Sequence, residues 1–106
     1  MELSAYQIAA QRTAIYPEDA KVTYPALGLA GEVGEVCNKI KKVTRDGLSI
    51  DDIRPDLFKE LGDVLWYLSA LAYDLNISLE NLAAQNLEKL QTRQEKGTLQ
   101  GSGDNR

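Results

Sequence analysis

The sequence predicts an all-α fold: a four-helix domain completed by oligomerisation. Three observations point there. Apolar residues recur with the helical period, at Leu29, Val33, Val36, Ile40 and Val43, and again at Leu57, Leu61, Val64, Leu68, Leu71 and Leu75. The β-branched residues are scattered and never alternate for long, so strands find no support. Helix start and stop residues fall where the periodic stretches end.

The first helix is expected from about Ser4 to Ile15, and a loop over Pro17 to Thr23. The second starts near Pro25, a residue suited to a first turn, and runs to about Arg45 with Gly47 as its stop. Residues 48–55 read as a connection in which Ser49-x-x-Asp52 caps a turn before Pro55. The third helix is expected over Asp56 to Leu75. Ser78 is the expected N-cap of the fourth, which reaches about Glu95 and stops at Gly97. The domain is therefore placed at 1–96, followed by a Gly-rich tail, 97–106, flexible alone and free to order over a ligand. Helices this few make a thin core, so the apolar stripes call for a second subunit.

Composition narrows the function. The chain has 106 residues and a net charge of -4, which argues against a general nucleic-acid binder. No apolar run approaches membrane-spanning length and no signal peptide is visible, so a cytoplasmic location is expected. The lone Cys37 allows no disulfide within the chain. There is no histidine, which excludes His-based triads, His-containing zinc sites and Glu-x-x-His di-iron bundles. There is no Gly-x-x-x-x-Gly-Lys loop for phosphate. Asp74, Asn76 and Ser78 mimic a calcium loop, but Leu79 and Gln85 stand where its glycine and bidentate glutamate belong.

The informative feature is an internal near-repeat. Residues 29–36 and 57–64 both fit Leu-x-x-Glu-apolar-Gly-acid-Val, at a constant offset of 28 residues. Glu32 and Glu35 on one helix thus correspond to Glu60 and Asp63 on the next. Spacing of i,i+3 sets each pair about 60° apart on one helix face. If the helices pack antiparallel, four carboxylates converge at one rim. Such a group repels itself unless protons or a cation compensate, and an oxygen-only ligand set suits a hard divalent ion. Gly34 and Gly62 beside the acids each cost about 1 kcal/mol relative to Ala, which suggests close approach by the facing helix or a ligand. A single Glu-x-x-Glu is usually a solvated face; the duplicated form is harder to dismiss.

On the fourth helix, Asn86, Lys89 and Arg93 share one face, inside or beside the apolar stripe. Either the cations snorkel or pair with structural carboxylates, or they clamp phosphate opposite the acids. Lys39 and Lys59 are the next candidates for that role.

Glu32-x-x-Glu35, 24 intervening residues, Glu60-x-x-Asp63 and the downstream Asn86-Leu-Glu-Lys89-Leu-Gln-Thr-Arg93 together resemble the MazG-like nucleotide pyrophosphohydrolases of the all-α NTP pyrophosphatase superfamily. The similarity covers about residues 24–96. It implies obligate oligomers with sites near subunit interfaces, and the thin core predicts a homodimer or homotetramer. It also implies Mg²⁺-dependent hydrolysis of a nucleoside triphosphate to monophosphate and pyrophosphate, with Mn²⁺ as a substitute. On that analogy Glu32, Glu35, Glu60 and Asp63 are metal ligands. One of these carboxylates, with Glu35 the candidate, takes a proton from the attacking water; the sequence does not single it out. Lys89 and Arg93 bind phosphate, and Asn86 binds phosphate or sugar. Tyr67, between Glu60 and Asp63 on the helical wheel, is the candidate base-stacker, whereas Trp66 points to core or interface. Two rivals stand beside this: a non-enzymatic helical interaction module, and a hydrolase of the same superfamily acting on another phosphorylated nucleotide.

Overall fold

A computed structural model describes residues 1–105. They form α1 (Leu3–Gln11), α2 (Thr23–Asp46), α3 (Ile50–Asp74) and α4 (Leu79–Lys96), with a 3-10 turn at Glu18–Ala20 and no strand among the described residues. The all-α expectation holds. α2 and α3 form an antiparallel hairpin; α1 lies on α3 and α4, and α4 also touches α3.

α1 is shorter than expected. Arg12 and Thr13 already close turns onto Ala9 and Ala10, and the Thr13 hydroxyl donates to the Ala10 carbonyl at 2.7 Å. That hydroxyl also accepts from Trp66 Nε1 at 2.8 Å. Farther on, Tyr16 Oη donates to Asp74 Oδ2 at 2.8 Å. The chain after Gln11 is thus drawn towards α3 rather than continuing as helix, and Pro17 disfavours helical backbone at Tyr16. Burial and the Asp74 contact push the Tyr16 phenol up to about 12. Asp74 Oδ2 also accepts from the backbone N–H of Val22, whose φ of 67° is strained for a β-branched residue.

α3 begins at Ile50, six residues before the expected Asp56. Ser49 and Asp52 make a reciprocal capping box, Asp52 N–H to Ser49 Oγ at 3.3 Å and Ser49 N–H to Asp52 Oδ2 at 2.8 Å. The cap satisfies first-turn donors, so the helix starts there and runs through Pro55, where one intrahelical bond is lost. The other ends match their signals. Gly47 and Gly97 take left-handed φ of 69° and 72°, and Ser78 accepts from Asn81 N–H.

Gln7 fastens the helices together. It is buried, and its amide donates to the Ser69 and Ile77 carbonyls while its carbonyl accepts from Leu79 N–H at 3.0 Å. That last donor is a first-turn group of α4 with no intrahelical partner. The apolar core is small: Ile53, Ala70, Ala72, Leu79 and the fully buried Pro25 are its members among the described residues. Phe58 is 80 % exposed and Leu27 70 %. The tail folds back onto α4, where Asp104 meets Lys89 and Arg93. No helix among the described residues is long and apolar enough to cross a membrane.

Candidate metal centre

The antiparallel crossing of α2 and α3 brings Glu32 against both Glu60 and Asp63. One oxygen from each lies within 4.8 Å of the other two. Glu32 and Glu60 are half-buried and Asp63 is exposed. A hydrogen bond with the Glu60 carboxyl raises the Glu32 pKa above the usual carboxylate range, helped by burial and by the charges of Asp63, Glu60 and Glu35. Like charges held this close disfavour the ionised form of Glu32 unless a cation lies between them. Lys39, one turn beyond Glu35 on α2, supplies a positive charge, its Nζ 3.9 Å from Glu60 Oε1. Three oxygen donors with no nitrogen or sulfur suit a hard divalent ion, so the residues present fit one.

Glu35 is exposed and outside this trio. It lies one turn along α2, close enough for its charge to act on Glu32. Gly34 and Gly62 face open space within the chain, so the facing helix is not what they accommodate. The close approach is at Gly28, where a Cβ would overlap the Tyr67 ring.

Tyr67 therefore lies across the hairpin beside the acids. Burial comes first in raising its pKa, then a hydrogen bond with Tyr24 and the charges of Tyr24, Glu32 and Asp63. Its ring meets Trp66 edge-on at 5.0 Å and Tyr24 at 6.3 Å, and Tyr24 stacks on Tyr16 at 4.8 Å. Trp66 is half-buried and bound to Thr13, so it anchors the chain after α1. Tyr6 of α1 also borders the centre: burial and the Asp63 charge raise its phenol. Nothing in the sequence marked Tyr6 or Gly28, because both owe their place to helix packing.

The α4 residues line grooves that include none of the four acids. Asn86 and Lys89 are exposed and line a groove of about 700 Å³ with Asn76, Ser78, Asn81 and Gln85. Arg93 is buried. Among the described residues, the ion pairs of Lys89 and Arg93 go to Asp104, and none joins them to the four acids.

Residues 23–98 match the MazG nucleotide pyrophosphohydrolase domain. The whole chain is 46 % identical to the Gene 37 protein of Mycobacterium phage L5, over an alignment 114 positions long that covers all of both proteins. No solved structure matches significantly. The family match spans α2, α3 and α4 and takes in the acid trio, Lys39 and the α4 cations. The chain belongs to the MazG nucleotide pyrophosphohydrolase family.

Proposed function

We propose that this protein hydrolyses a nucleoside triphosphate, ribo or deoxyribo, to the monophosphate and pyrophosphate with the aid of Mg²⁺, for which Mn²⁺ can substitute. The observation that carries the reading is the trio Glu32, Glu60 and Asp63, three carboxylates with an oxygen of each within 4.8 Å of the others. A divalent ion bound there supplies charge neutralisation for the polyphosphate and acidifies water. Glu32, Glu60 and Asp63 hold it. Glu35, exposed beside them and outside the trio, is free to accept the proton of the water that attacks the α-phosphorus. Lys89 and Arg93 take the charge that develops on the leaving pyrophosphate, and Asn86 hydrogen-bonds phosphate or sugar. Tyr67, over Gly28 and beside Glu32, offers a ring to the base.

The catalytic unit is a homodimer or homotetramer. A small core and the exposed Leu27, Phe58 and Leu61 on the α2–α3 hairpin support assembly. Such assembly also offers a way for α4 cations of one subunit to serve acids of another. The setting is the cytoplasmic nucleotide pool.

The test is pyrophosphate release over a panel of nucleotides, with and without Mg²⁺. The expected products are monophosphate and pyrophosphate, with no turnover in excess EDTA and none by Glu35→Gln, whose helicity is retained. Full activity in EDTA, or orthophosphate and a diphosphate as first products, would contradict the reading.

A further inference from the structure

The C-terminal tail occupies the cationic seat on α4 with a carboxylate of its own. Arg93 is only 5 % exposed, so its charge has little access to water and needs a partner. Among the described residues, the polar contacts of its guanidinium all go to the tail: Asp104 carbonyl at 2.8 Å, Asp104 Oδ1 at 3.2 Å and Gly103 carbonyl at 3.5 Å. Lys89 Nζ donates to the same Oδ1 at 3.3 Å. Arg93, then Lys89, holds the Asp104 carboxyl below its usual range. Gly103, with φ of 80°, gives the backbone the turn that brings Asp104 back over the helix. Gln85, Glu88 and Thr92 complete a groove of about 450 Å³ around these contacts.

The arrangement is that of a phosphate seat filled by a substitute. One carboxylate oxygen bridges two cations, and two backbone carbonyls face the same guanidinium nitrogen that reaches it. Yet the substitute is weakly held. The Asp104 side chain is 84 % exposed, and exposed ion pairs are screened by water and salt. A polyphosphate brings more charge and more acceptor oxygens to the same donors.

The geometry points to residues 101–105 as an internal competitive ligand, a strap whose Asp104 fills the Lys89–Arg93 seat until a pyrophosphate-bearing ligand displaces it. This rests on the proposed phosphate role of Lys89 and Arg93. It adds that the seat is closed at rest and that the apparent affinity for phosphate is lowered by the fraction of chains with the strap in place.

The probe is inorganic pyrophosphate in EDTA, which reads the cationic seat without the metal centre. Its Kd is measured by calorimetry on the full chain, on Asp104→Ala and on a chain ending at Gln100. That truncation keeps Thr98, whose N–H caps the Arg93 carbonyl. Truncation is expected to tighten binding roughly fivefold, with Asp104→Ala between it and the wild type, since strap occupancy sets the deficit. Hydrogen exchange at residues 101–105 should quicken when pyrophosphate is added to the full chain. Lys89→Met, at an exposed position, and Arg93→Met, checked for helicity, should weaken binding in either background. If both Met variants weaken binding while truncation changes nothing, the phosphate role stands and the strap is overturned. If pyrophosphate slows exchange in the tail, the tail closes over the anion instead of leaving it, and competition is overturned. If both Met variants bind pyrophosphate as the wild type does and nucleotide turnover is intact, the phosphates are held elsewhere. In that case the phosphate role falls, and the strap with it.

Discussion

Glu32 carries the most consequential electrostatics of any single residue. Its pKa is raised by contact with Glu60, so the folded chain binds that proton more tightly than the unfolded chain does. Stability from such a group is full below the ordinary carboxylate range and is lost as pH rises through the raised folded value. At neutral pH the metal-free centre therefore carries a penalty, which either a proton or a cation relieves. Glu32→Gln removes one of the crowded charges. In EDTA at pH 7.5 the variant should melt above the wild type by about 2 °C, the scale of a solvent-screened interaction of a few tenths of a kcal/mol. The gap should close towards pH 4, and Mg²⁺ should raise the wild-type melting temperature more than the variant's. Thermal melts across that pH range check it, and a gap independent of pH would dismiss the raised Glu32 pKa as its cause.

Individual helices begin and end by local chemistry, and α3 is the best case. Its first turn is held by the Ser49–Asp52 box against the adverse effect of Pro55, which removes one intrahelical hydrogen bond. Ser49→Ala deletes the Oγ acceptor for Asp52 N–H and should cost about 1 kcal/mol, read as a lowered urea midpoint at unchanged slope. A midpoint equal to wild type would mean that the turn before Pro55 contributes nothing to stability. The cap was legible in the sequence as a motif, but Pro55 argued for a helix beginning after it. Two hydrogen bonds at the first turn outweigh one missing bond in the second. At α1 the balance went the other way. Helical periodicity extended to Ile15, and contacts with Trp66 and Asp74 on α3 ended the helix at Gln11.

At the scale of the whole molecule, apolar surface is left uncovered. The radius of gyration is 16.8 Å, against about 13 Å for a compact domain of this length. Phe58, Leu61 and Leu27 lie exposed on the same hairpin that holds the acids. A two-fold interface uses each residue twice, so Phe58→Asp would forfeit two buried rings, each contributing about 1.5–3 kcal/mol. Association should weaken at least roughly 100-fold, at about 1.4 kcal/mol for each factor of ten. Sedimentation at micromolar concentration should show the wild type as a dimer or tetramer and the variant as a helical monomer. A monomeric wild type would remove the assembled site from consideration, and an unchanged variant would move the interface off this hairpin.

The sequence by itself determined the helical class, the stops at Gly47 and Gly97, the cap at Ser78 and the acid pairs on α2 and α3. Each of these depends on neighbours within one or two turns. Glycine tolerates left-handed backbone, a serine oxygen reaches the third N–H onward, and i,i+3 spacing sets two side chains on one face. Tertiary structure alone decided which groups meet across helices. The stagger of the hairpin drew Glu32, Glu60 and Asp63 together and left Glu35 a turn away. The same crossing laid the Tyr67 ring over Gly28, which no motif marks, while Gly34 and Gly62, conspicuous in the repeat, face open space. Gln7 became the clasp of three helices, and Arg93 met the carbonyls of a tail ten and eleven residues on. A helical wheel fixes angle about one axis. Distance between side chains on two axes also depends on crossing angle and register, which are set by packing of the whole chain.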